Sequence, residues 1–125
     1  MGLDPTTILS IAPEMFAVGD LNSGAFSLED NYLCWFGDEW SGGADNVEDC
    51  TPGVTGVSAF TAIDAIVSWL QNTTRFPVLD TVIVSGHSLG GQFVHRYTSM
   101  GSNRGNSKVE MSYWIGNPGE FHPCP

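Results

Sequence analysis

Three features of this 125-residue chain predict an α/β fold, a mostly parallel sheet flanked by helices. Residues 81–85 are apolar and largely β-branched, as a strand buried on both faces should be, and they run into Gly86-His87-Ser88-Leu89-Gly90. Phe60, Ile63, Val67 and Leu70 recur at helical spacing, and Ala59, Ala62, Ile66 and Trp69 widen that stripe. Val109, Met111, Tyr113 and Ile115 alternate with Glu110, Ser112 and Trp114, which suits a strand with one face better buried.

Ile8, Leu9, Ile11 and Ala12 read as a strand that Pro13 ends, followed by a loop holding Glu14, Met15 and Phe16. Residues 19–56 are rich in Gly, Asp, Asn and Ser, with Tyr32, Trp35, Phe36 and Trp40 interspersed. Such a segment is either a lid or substrate wall, or a surface loop anchored to the core by its aromatics. On the helix that follows, Asp64 and Ser68 are expected on the surface. Residues 92–100 read as a second helix, closed by Gly101.

G-x-S-x-G after a strand and before a helix makes Ser88 the candidate nucleophile. It would sit on a sharp turn where a side chain at Gly86 or Gly90 meets a neighbouring strand or helix. A serine hydroxyl needs an imidazole to take its proton and a carboxylate to orient that imidazole. Of three histidines, His87 lies inside the turn, and His95 is seven residues beyond Ser88, about 10 Å along a helix axis. His122 is the remaining candidate base and Glu120 the nearest candidate acid, both in the tail that ends Phe-His-Pro-Cys-Pro.

The segment GHSLGGQFVHRY resembles the nucleophile elbow of the α/β-hydrolase superfamily. Together with IAPEMF, the stretch from Trp35 to Trp40, VSAFTAIDAI, FPVLDTVIVSGHSLGGQFVHRY and YWIGNPGEF, it is similar to a group of mostly uncharacterised, often secreted α/β-hydrolases of fungal and bacterial type. GHSLGG followed by a strand and G-x-P is also similar to the class 3 (triacylglycerol) lipases. The resemblance runs from Ile8 to Phe121. It implies a partial α/β-hydrolase core in one domain (residues 1–125) truncated at both ends, since a complete hydrolase needs roughly 200 residues. Residues 6–12, 81–85 and 109–115 would be its fourth, fifth and sixth strands, and residues 58–71 and 89–100 its intervening helices.

The resemblance also implies roles. The Leu89 amide would donate to the oxyanion, while Gly86, His87, Gly90 and Gly91 would shape the elbow. The second oxyanion amide would lie before Met1. Asn117-Pro118 stands where some lipases carry the catalytic aspartate. The implied reaction is hydrolysis of a small-molecule or lipid carboxylic ester through an acyl-serine intermediate. Its base and acid come from His122 and Glu120 or from outside this chain. The alternative is a catalytically inactive hydrolase-like protein serving as a ligand- or partner-binding module.

Charge and cysteines bound the remaining classes. Fourteen acids against four Lys and Arg leave a net charge of −10, and all ten acids before Thr51 lack a basic partner in that segment. This counts against nucleic acid and anionic membrane partners. No cofactor is implied: Asp45, Glu48 and Asp49 match no EF-hand, and the three cysteines lack metal-ligand spacing. Cys34 and Cys50 bracket a loop and are either bridged or buried thiols. Asn72-Thr73-Thr74 is a glycosylation acceptor sequence. Secretion is implied by the resemblance, although no signal peptide or transmembrane run is visible. Sheet edges left open by absent strands would favour self-association.

Overall fold

The computed structural model describes residues 8–21, 23, 32–102 and 108–119. Their elements are β1 (Phe16–Ala17), α1 (Val18–Leu21), β2 (Cys34–Trp35), a 3₁₀ turn (Glu39–Gly42), α2 (Ala59–Leu70), β3 (Thr81–His87), α3 (Leu89–Met100) and β4 (Glu110–Gly116). The architecture is mixed α/β. β1 and β2 form one short parallel pair, and β3 and β4 form another with Thr81 opposite Glu110 and His87 opposite Gly116. α3 connects β3 to β4, as a parallel connection requires.

The core gathers Trp35, Ala59, Phe60, Ile63, Val67, Phe93, Val94 and Tyr97. α2 contributes Ala59, Phe60, Ile63 and Val67 of the stripe expected of it, whereas Trp69, expected to widen that stripe, is exposed and lies against Phe76 and Arg75 outside the core. The helix is started by Ser58, whose hydroxyl accepts from the Phe60 amide at 3.1 Å and donates to the Gly43 carbonyl at 2.7 Å. α3 contributes three aromatic or branched side chains from one face, with Phe93 and Tyr97 stacked at 5.9 Å and Phe60 at 5.2 Å from Phe93.

Asp64 departs from expectation. It is half-buried, its Oδ1 accepts from the Tyr97 hydroxyl at 2.7 Å, and its Oδ2 accepts from the Ser102 amide at 3.0 Å. A phenol only 2 % exposed must find an acceptor, and the nearest carboxylate is on α2. Burial, then the bond to Asp64, pushes the Tyr97 phenol well above its ordinary value of 10.0. Because the folded value is raised, this stabilisation is intact below pH about 10 and is lost as the unfolded tyrosine ionises above it. Tyr97→Phe should lower stability by about 1–2 kcal/mol at neutral pH. It should also flatten the decline in stability above pH about 10, read by urea unfolding across that range.

The segment at 19–56 is tied to the core over its described residues. Trp35 is buried with its indole N–H donating to the Ala44 carbonyl at 2.9 Å, and Trp40 packs 5.9 Å from Phe93. Cys34 and Cys50, both fully buried, are joined by a disulfide with Cα atoms 5.9 Å apart. Asn46 is buried and organises the following loop, donating to the Val54 carbonyl at 2.6 Å and accepting from the Val57 amide at 2.9 Å. Replacing both bridged cysteines by alanine should cost about 3 kcal/mol, measured against the reduced and oxidised native chain in urea.

The strand expected at residues 6–12 is not formed over residues 8–12, where Ile8, Leu9 and Ile11 are exposed. An apolar run becomes a strand only where another strand accepts its hydrogen bonds. Here Leu9, Ile11 and Pro13 instead line one side of an apolar cavity of about 470 Å³, with β3 on the other. The outer face of the β3–β4 pair is likewise open. Ile83 is 64 % and Trp114 58 % exposed, whereas parallel sheets are usually covered on both faces. No helix of the described residues is long and apolar enough to cross a membrane.

Candidate functional site at the turn between β3 and α3

Ser88 occupies the junction between β3 and α3 with φ 54° and ψ −119°. That backbone is outside the regions open to most L-residues and is tolerated only when the surroundings enforce it. Three contacts do so. The Ser88 amide donates to the Gly116 carbonyl at the end of β4 at 2.9 Å. Its own carbonyl accepts from the Gln92 amide at 3.0 Å, which opens the helix. At Gly86, a Cβ would lie 2.2 Å from the Gly90 carbonyl oxygen, so only glycine lets the strand end and the helix start meet.

A serine at a helix start ordinarily caps it, but the Ser88 side chain makes no such bond and is exposed. Beyond it, the amides of Leu89, Gly90 and Gly91 belong to the first turn of α3, where N–H groups have no partner within the helix. They and the helix dipole favour negative charge beside the serine. Oγ and a field suited to an oxyanion therefore share one turn.

The glycines divide differently from the sequence expectation. Gly91, not Gly90, makes the second close approach: a Cβ there would lie 2.5 Å from the Gly116 carbonyl oxygen, whereas one at Gly90 meets nothing within 4 Å. The cause is the direction of α3, whose Gly91 side rests on the end of β4, while Gly90 lines the apolar cavity.

His87 is exposed at the last position of β3. His95 is half-buried within α3, and its carbonyl accepts from the Thr98 hydroxyl at 2.7 Å. Asn117, directly after β4, is exposed with φ 43°, a left-handed conformation that asparagine adopts more readily than most. His122 and Glu120 lie outside the described residues.

One wall of the site was invisible from the motif. Asp38, Glu39, Ser41 and Gly42 face Leu89, Gln92, Arg96 and Gly119 across an open depression of about 650 Å³. Arg96 holds it together, donating to the Ser41 carbonyl at 3.2 Å and, with the Gln92 amide oriented to suit both groups, to Gln92 Oε1 at 2.9 Å. The spacing of Gln92 and Arg96 by one helical turn was the available signal, but nothing local paired Arg96 with a carbonyl 55 residues earlier.

Among the described residues no group of three or more His, Cys, Asp and Glu side chains is placed to hold a metal ion. Comparison of the chain with protein-family models, with curated proteins and with solved structures gives no match.

Proposed function

We propose that this chain carries the nucleophile of a serine hydrolase acting on carboxylic esters, within an α/β-hydrolase-type core. The observation that carries the reading is the backbone of Ser88: a non-glycine residue held at φ 54° between a parallel strand and a helix, with its hydroxyl exposed and uncommitted to capping. Strain of this kind persists where the surroundings are built to maintain it, and here the strained residue is a serine directly before a helix whose first amides have no partner within the helix.

The reaction follows from those groups. Oγ attacks the ester carbonyl carbon, the developing oxyanion takes the Leu89 amide, and collapse expels the alcohol to leave an acyl-serine that water then hydrolyses. The proton must pass through a general base. His122 with Glu120 as its orienting acid fits the order serine, acid, histidine; a longer protein would supply the pair from another segment. The depression walled by residues 38–44 lies against Leu89 and suits the acyl or alcohol part of the substrate.

A second reading is favoured by the apolar cavity beside β3, about 470 Å³ and lined largely by aliphatic side chains. In that reading the chain is a non-catalytic module that binds an apolar ligand. The two are separated by treating the folded chain with a fluorophosphonate and locating the adduct by peptide mass spectrometry. Stoichiometric modification of Ser88 supports the hydrolase. A folded, unlabelled chain that still takes up an apolar dye sinks it in favour of the binding module.

A further inference from the structure

We infer that Asn72 is a site of N-linked glycosylation. Asn72-Thr73-Thr74 is an acceptor sequence of the N-x-T type, and the fold places it in the turn immediately beyond α2 with Asn72 and Thr74 exposed. The conformation suits the chemistry. Asn72 Oδ1 accepts from the Thr74 amide at 3.0 Å and the Arg75 amide at 3.2 Å, which commits the oxygen of the carboxamide to the turn and brings the threonine of the acceptor sequence next to it. The nitrogen that would be modified is the other atom of that amide.

Two observations elsewhere in the fold agree. The Cys34–Cys50 disulfide is fully buried, and disulfides form and persist in oxidising compartments, the kind in which glycan transfer also takes place. Trp69, whose carbonyl accepts from the Asn72 amide at 3.3 Å, remains 43 % exposed, with Phe76 edge-on at 4.7 Å and the Arg75 guanidinium 5.5 Å from its ring. A half-exposed indole next to the acceptor offers an apolar platform for the C–H face of the first sugar, in the way aromatic side chains use one apolar and one wet side.

In the transfer, Asn72 Nδ2 attacks the anomeric carbon of a lipid-diphosphate-linked oligosaccharide. The N–C bond forms, the C–O bond to the diphosphate breaks, the amide nitrogen gives up a proton, and the lipid diphosphate leaves with no change of oxidation state. Nothing in this assignment depends on the chemistry of Ser88, since Asn72 precedes β3 and Ser88 follows it.

The test directs the full chain into the secretory pathway of a eukaryotic host and reads the disulfide-bonded product by intact and peptide mass spectrometry. A series of hexose and N-acetylhexosamine masses is expected on the peptide holding Asn72, removable by an amidase that leaves aspartate in its place. Thr74→Ala should abolish it and Thr74→Ser retain it. Thr74→Ala keeps the turn, because the bonds to Asn72 Oδ1 come from backbone amides, so loss of the glycan cannot be ascribed to loss of the fold. An unmodified Asn72 in the native chain overturns the proposal, as does a sugar mass that survives Thr74→Ala.

Discussion

Ser88→Ala should abolish ester hydrolysis and fluorophosphonate labelling, a loss on the order of 10⁴–10⁶ in rate, while shifting stability by less than about 0.5 kcal/mol. The two halves of that expectation have separate causes. The hydroxyl is exposed and caps nothing, so its removal leaves the fold's contacts in place. Ser88→Gly sharpens the test. Glycine adopts φ 54° and ψ −119° without the steric penalty a Cβ imposes, worth about 1–3 kcal/mol, and gives back about 0.5–1 kcal/mol in chain entropy. The glycine variant should therefore be inactive and about 1 kcal/mol more stable than the native chain in urea. Such opposite movement of activity and stability marks a strained residue kept for its chemistry. Equal stability of the serine and glycine forms would remove the argument from strain, and hydrolysis that persists in either variant would remove the serine mechanism.

Much of this site is local, which is why it was readable from sequence. An apolar run, two glycines around a serine and a following amphipathic stretch form a local strand, turn and helix pattern, and the structure has β3, Ser88 and α3 in that order. The α2 stripe and the alternation along β4 were readable for the same reason, since each reports burial of one face. What was not readable depends on partners distant in the chain. Asp64 looked like a solvent-facing position because it flanks the apolar stripe, and only the arrival of Tyr97 from α3, 33 residues later, gives the carboxylate a reason to be partly buried. The apolar residues before Pro13 carry a strand pattern but no information about whether a strand stands next to them. Residues 38–44 fall in the segment read as either a substrate wall or an anchored surface loop, but their position against α3 was not readable, because it rests on Arg96 and on Trp40 packing over Phe93.

Gly86→Ala should be the most damaging single methyl that can be added to the turn, and Gly90→Ala should be beneficial. At Gly86 the new carbon would stand 2.2 Å from the carbonyl oxygen and 2.3 Å from the carbonyl carbon of Gly90, and 2.9 Å from the Gly91 amide nitrogen. All three are backbone atoms of the first turn of α3, so no side chain can rotate away, and relief requires the helix to move off the strand. Overpacking of this sort costs about 1–3 kcal/mol even where neighbours can adjust, and a displacement near 1 Å between Oγ and the Leu89 amide costs about 10² in rate. Gly91→Ala should behave similarly, against the Gly116 carbonyl at 2.5 Å. Gly90 differs because its methyl would enter open space beside the apolar cavity. Inside a helix that substitution removes unfolded-state freedom and should stabilise by about 0.5–1 kcal/mol. The ordering is measured by urea unfolding of the three variants with fluorophosphonate labelling rate as the second readout. Should Gly90→Ala prove as harmful as Gly86→Ala, the space beside Gly90 must be filled in the folded protein, and the apolar cavity next to β3 would then be the seat of another segment of chain.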